Sequence, residues 1–234
     1  MSHIAVLAGP ALGHVSRLFQ IFRQVRALSD AKVTFISPGP ARFLDRVAGE
    51  LFPTLRIPPP DTPGVPASEW FADGLETLFG SHRFDLIVHD MNPLQWLALV
   101  RFPSCPRIHV TNAFLTGLGK METIQQTEFA ARGAAINRAR ANRGLPPLTC
   151  AFDLYDADRV MLTDPAPLVA ALGTPPPHHI VCGHCSWSAK GTLPAELRDR
   201  KNLLIASMGS SGRKTLDGDT LAALVQATHA TATV

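Results

Sequence analysis

Short apolar runs alternate along the chain with segments of helical periodicity. Residues 4–8 form the first run, 32–37 (KVTFIS) the second and 55–57 a weak third. Residues 85–90 (DLIVHD) and 107–111 (RIHVT) follow, then 159–163, 179–182 and 202–207 (NLLIAS). Most of these runs are continuous rather than alternating, which predicts strands buried on both faces. Between the first two runs, Val15, Leu18, Phe19, Phe22, Val25 and Leu28 fall on one face of a helix. Segments 41–50, 68–79 and 93–101 predict shorter helices, and the Ala-rich segment 115–143 predicts a long one with a break near Gly133.

Strand and helix in alternation predict an α/β fold, a doubly wound parallel sheet with helices on both faces. The prolines from Pro58 to Pro66 mark a surface loop, since proline at this density pairs poorly in a sheet. Residues 1–182 are expected to form the first domain and 183–200 a connector. Residues 201–234 are expected to open a second α/β unit, with strand 202–207, the loop Gly209-Ser210-Ser211-Gly212 and helix 216–227. One strand and one helix cannot bury both their faces, so this unit is expected to be incomplete.

Composition narrows the picture modestly. Of 234 residues, 46% are hydrophobic and 18% charged, enough apolar material for a packed core. The net charge of +3 is slight and no Lys/Arg run occurs, so nucleic acid is not an expected partner. No uninterrupted apolar stretch has the length of a spanning helix. The N-terminus lacks a basic flank, and Gly9-Pro10 interrupts its apolar run, so it reads as a buried strand rather than a secretion signal. The expected compartment is the cytoplasm, with reduced thiols.

Candidate chemistry gathers where strands end. The first strand runs into Gly9-Pro10-Ala11-Leu12-Gly13-His14-Val15-Ser16-Arg17 and then directly into a helix. Glycines at such a turn permit close ligand approach, and free N–H groups face outward. The spacing is not G-x-G-x-x-G, so the nicotinamide fingerprint is absent. His14 would sit at the positive end of the helix dipole, which favours the neutral imidazole that a general base requires. In the strand order 3-2-1-4-5, strands one and four are neighbours at the topological switch point. His14 and Asp90 should then open into one crevice, with Asp90 accepting the second ring N–H. Thr111 and Asn112 end the fifth strand on the same rim. The plainer alternative is that His14 and Asp90 merely cap helices.

Gly13-His14 after a buried strand, VTFIS at 33–37, DLIVHD at 85–90 and LIASMGSSG at 204–212 together resemble the GT-B nucleotide-sugar glycosyltransferases. The likeness is to the family 1 enzymes of macrolide and flavonoid type, and it covers nearly the whole chain. It implies two facing Rossmann-like domains, the first binding the acceptor and the second the sugar nucleotide. By that resemblance His14 deprotonates an acceptor hydroxyl and Asp90 orients it. Gly13, Asn92, Thr111 and Asn112 are expected on the acceptor side, and Gly209, Ser210 and Ser211 at the donor diphosphate. The implied chemistry is inverting transfer to a small or lipidic acceptor. The nucleotide sugar, such as a UDP-sugar, is a co-substrate, and no metal or cofactor is required. Two features depart from the family. Its Gly-His is commonly followed two residues later by Asn-Pro or similar, whereas Val15-Ser16-Arg17 stands here, and its main donor signature would fall beyond Val234. The chain is therefore expected to be truncated and weakly active alone. The alternatives are a non-catalytic acceptor-binding subunit paired with a separate donor-domain chain, and a sugar-nucleotide epimerase on the same fold.

Four signals point elsewhere and are set aside. Cys182-Gly183-His184-Cys185 looks like a redox motif, but no helix is expected after it to activate the first thiol. The same cysteines with His178, His179 and His184 could bind zinc adventitiously, yet they lack a distant second ligand pair. Gly209 to Thr215 has the wrong spacing for a P-loop. Finally, Arg132, Arg138, Arg140 and Arg143 make a basic stretch of helix. It reads first as a solvated face, so membrane contact is at most peripheral.

Overall fold

The structure is a computed structural model that describes residues 1–39, 44–61, 64, 66–118 and 124–185. The strands are β1 (His3–Ala8), β2 (Lys32–Pro38), β3 (Thr54–Ile57), β4 (Leu86–Asp90), β5 (Arg107–Thr111), β6 (Arg159–Leu162) and β7 (His179–Val181). They form one parallel sheet in the order β3-β2-β1-β4-β5-β6-β7. The chain starts in the middle, winds outward through β2 and β3, then returns to the other side of β1. That reversal puts the switch point between β1 and β4, where Ala8 stands opposite Asp90.

The helices are α1 (Leu12–Leu28), α2 (Leu44–Val47), α3 (Ala67–Ser81), α4 (Pro93–Trp96), α5 (Ile124–Asn142) and α6 (Ala166–Leu172). They cover both faces of the sheet. Alternate residues of β1 supply two cores: Ile4, Val6 and Ala8 pack with Leu18, Phe19 and Phe22 of α1. Ala5 and Leu7 pack with Phe71 and Leu75 of α3. An internal strand covered on both sides needs apolar side chains at every position, which is why β1 reads as an unbroken run.

Several helical expectations change. Val15, Leu18, Phe19 and Phe22 are buried as their spacing requires, but Leu28 is 85% exposed. A helix of 17 residues is about 25 Å long, while the six-residue strand beneath it spans about 20 Å, so the last turn overhangs the sheet. The long helix does not begin at 115. Ala113–Thr116 is a 3-10 turn closed by Gly117 at φ 79°, and α5 starts at Ile124. Nor does α5 break at Gly133. The glycine is buried against the Phe129 ring, where a Cβ would stand 3.1 Å away, so it serves packing rather than a turn. Helix α4 ends at Trp96 instead of running to 101. Helix α6 was not expected, because its seven residues give too few turns for a period to show.

The basic stretch is not a uniform face. Arg140 is buried, and its Nε donates to the Pro146 carbonyl at 2.7 Å while Nη1 reaches the Ala98 carbonyl. Arg143 pairs with Asp73 at 2.7 Å and with Glu76 at 2.9 Å. Only Arg132 and Arg138 of the four face solvent. No helix among the described residues is long and apolar enough to cross a membrane. The expected strand 202–207, loop 209–212 and helix 216–227, with the connector beyond residue 185, lie outside the described residues.

Candidate functional site

The C-terminal edge of the sheet is built around the turn after β1. Gly9 prolongs the β1–β4 ladder by one bond, its N–H donating to the Asp90 carbonyl at 2.9 Å. The chain then turns through Pro10 and Ala11 into α1, whose N-terminus has no side-chain cap. His14 is the third residue of that helix. Its Nδ1 lies 2.6 Å from Asp90 Oδ1, across 76 residues of sequence. A carboxylate only accepts, so Nδ1 carries the proton and acid–base work at this ring falls to Nε2. The side chain of His14 is 34% exposed and that of Asp90 only 5%: the imidazole is open to solvent while its partner is held beneath it. Gly9 makes room for this contact, because a Cβ there would stand 2.8 Å from the imidazole Cδ2.

The sequence-predicted residues separate on this edge. His14 and Asp90 meet. Asn112 joins them through Arg17, whose Nη1 donates to Asn112 Oδ1 at 3.1 Å. Gly13 and Asn112 line a cleft of about 380 Å³ together with Ser16, Arg17, Thr163 and His184. Thr111 is buried, and the contact it offers is its carbonyl, which accepts from Thr163 N–H at 3.0 Å. Asn92 Oδ1 accepts from the Gln95 N–H at 3.2 Å, capping α4. The proposed donor residues Gly209, Ser210 and Ser211 lie outside the described residues.

Arg17, Thr163, Asp164, His184 and Cys185 were not anticipated here. Arg17 sits three residues after His14, on the same helical face. Thr163 and Asp164 follow β6, so the strand-end rule that singled out Asp90 and Thr111 applies to them equally. His184 and Cys185 come from the segment that resembles a redox motif, and no sequence signal brings them to this rim. Burial raises the Cys182 thiol pKa, and the neighbouring Cys185 raises it further. Burial also raises that of Cys185, with Arg17 acting to lower it and Asp90 to raise it. Both thiols are thus the opposite of an activated redox pair. Among the described residues, no three His, Cys, Asp or Glu side chains gather to hold a metal ion.

Beneath Asp90, on the other face of the sheet, His89 and His109 stack in register with ring centroids 4.3 Å apart. His109 Nδ1 lies 3.0 Å from the Tyr155 carbonyl, whereas neither ring nitrogen of His89 has a hydrogen-bond partner among the described residues. Burial holds His89 well below the ordinary imidazole range, and the charges of His109 and Arg107 add to this. Burial likewise brings His109 down to about 4. These rings are neutral core residues. A larger cavity, about 610 Å³, opens at the opposite edge, beside the starts of β4 and β5.

No protein-family model matches the sequence, and no curated protein matches it either. Solved structures do match. CalG4, the calicheamicin glycosyltransferase, shares 13% identity over 83% of this chain and 55% of its own, with a TM-score of 0.52. SnogD, a glycosyltransferase from Streptomyces nogalater, shares 18% identity over 86% of this chain and 56% of its own, with a TM-score of 0.47. UGT89C1 from Arabidopsis thaliana, solved with UDP, shares 17% over 70% and 42%, with a TM-score of 0.41. The chain spans about half the length of these structures. Its seven-stranded parallel sheet with helices on both faces is a Rossmann-like α/β fold, similar to that of the GT-B glycosyltransferase CalG4.

Proposed function

We propose that this chain is the acceptor-binding half of an inverting, nucleotide-sugar-dependent glycosyltransferase. The single observation that carries the reading is the 2.6 Å contact between His14 and Asp90 at the switch point of the sheet. His14 Nε2 takes the proton of an acceptor hydroxyl. The acceptor oxygen bonds to the anomeric carbon as the bond to the nucleoside diphosphate breaks on the far side. Asp90 fixes the tautomer and offsets the imidazolium charge as it forms. The acceptor is a small or lipidic hydroxyl compound resting near Gly13 and Asn112. The donor, a UDP-sugar or another nucleotide sugar, is a co-substrate that meets Gly209, Ser210 and Ser211 and a facing donor-binding domain. No further cofactor enters this scheme. The setting is the cytoplasm, where the four free cysteines stay reduced.

The test joins residues 1–212 to the donor-binding domain of CalG4 and supplies a nucleotide sugar with a panel of hydroxylated acceptors. Transfer is expected, and His14→Ala is expected to lower it by about 10²–10⁴-fold, the usual worth of a general base. Transfer that ignores the loss of His14 refutes the assignment of the base. A folded fusion that binds acceptor yet never transfers supports a non-catalytic acceptor subunit instead.

A further inference from the structure

Asp90 has two carboxylate oxygens, and the proposed mechanism uses one. The other, Oδ2, lies 3.2 Å from Nε of Arg17. The same guanidinium reaches the other side of the cleft, where Nη1 donates to Thr163 Oγ1 at 2.9 Å and to Asn112 Oδ1 at 3.1 Å. Those acceptors are themselves fixed. Thr163 Oγ1 donates to the Thr111 carbonyl at 3.2 Å, and Asn112 Nδ2 donates to Asp164 Oδ1 at 2.8 Å. The second oxygen of Asp164 accepts the Ala113 N–H. One planar group on α1 therefore ties together the ends of β4, β5 and β6.

Resting on the reading of His14 as base, we infer that Arg17 is a positioning residue that holds the Asp90 carboxylate in place through its charge. Asp90 Oδ2 has no hydrogen-bond partner among the described residues, so the guanidinium 3.2 Å away acts on it as an ion pair rather than through a directed bond. That attraction opposes swinging of the carboxylate about its Cβ–Cγ bond and keeps Oδ1 turned to His14 Nδ1. Arginine suits this task because the bonds from Nη1 to Thr163 and Asn112 anchor the cation beside Asp90. A lysine would keep the charge but offers no planar fork to share between those anchors. The cation also balances the charge of a nearly buried carboxylate. In this way the departure from the family's usual sequence after Gly-His, Val15-Ser16-Arg17, becomes part of the site.

The test reads the His14–Asp90 bond directly and needs neither donor nor acceptor. The full 234-residue chain, labelled with ¹⁵N-histidine, is examined for the low-field Nδ1–H proton of His14, assigned by its disappearance in His14→Gln. In Arg17→Met that resonance is expected to be lost while the amide spectrum stays dispersed, and Arg17→Lys is expected to restore it in part. Thr163→Val, nearly isosteric, removes one anchor of Arg17 and should weaken the resonance in the same direction. An unchanged resonance in Arg17→Met overturns the proposal, as does its absence from the parent chain. If Arg17→Met unfolds, Thr163→Val decides: a weakened signal supports the role and an unchanged one refutes it. Because no sugar transfer is involved, failure of the glycosyltransferase reading and failure of this one are separately visible.

Discussion

Alanine at position 9 should disable the proposed base, His14, while leaving the fold almost untouched. Its Cβ would stand 2.8 Å from His14 Cδ2, 3.1 Å from Cγ and 3.3 Å from the Asp90 carbonyl oxygen. Carbon atoms settle at roughly 3.5–4.0 Å, so the ring must retreat by about 0.7 Å or more. The His14–Asp90 contact begins at 2.6 Å, and a retreat of that size along it gives about 3.3 Å, just past the usual hydrogen-bonding range of about 3.2 Å. The imidazole is one-third exposed and has solvent to swing into, so relief comes from a side-chain rotation rather than a backbone shift. The stability cost should stay within about 1 kcal/mol, equivalent to a change in Tm of about 2–4 °C for a domain of this size. The transfer rate should fall toward the range for base removal, about 10²–10⁴-fold. Measuring Tm and transfer in the CalG4 fusion separates the two effects. A Gly9→Ala variant that keeps both its Tm and its rate refutes the claim that this glycine makes room for the base. A variant that unfolds shows that the clash with the Asp90 backbone dominates.

Three further outcomes are expected. Burial lowers the pKa of His89 and His109 on folding, so between about pH 6.5 and 4 the unfolded chain binds more protons than the native one, and stability is full above that window and falls within it. For His109, whose pKa drops to about 4, the loss is on the order of 3 kcal/mol; His89→Phe should flatten part of it in urea unfolding across pH, and an unchanged pH slope would count against the buried pair. Asn92→Ala removes the cap of α4 and should cost about 1 kcal/mol with little effect on transfer, so a large loss of rate at unchanged stability would instead make it an acceptor ligand. The chain should not catalyse insulin reduction, since burial raises the pKa of both Cys182 and Cys185; turnover that vanishes in Cys182→Ser would contradict this.

Much of this architecture is legible in the sequence because burial on both faces leaves a local trace. Residues 4–8 and 85–90 are short and apolar, with little alternation, and they pair as neighbouring central strands. Helix α1 declares itself through Val15, Leu18, Phe19 and Phe22, which must all face the sheet. Once the strand order is inferred, His14 and Asp90 follow, because each ends or succeeds a strand at the switch point and the connectivity of the fold brings them together. What the sequence hides has no period and no fixed spacing. Leu28 fits the helical pattern yet lies exposed, because strand length, not helix periodicity, sets where the core stops. Gly133 looks like a break but packs under Phe129, and the sequence does not show that Asn92 caps a helix. Arg17 and Thr163 are 146 residues apart, and nothing local to either announces the other. Apolar burial is encoded residue by residue, so the sequence determined the sheet, its order and the meeting of His14 with Asp90. Hydrogen-bond partnership depends on distances of a few tenths of an ångström between distant segments, so only the tertiary structure could decide which polar groups share Asp90 and which rim residues reach the cleft.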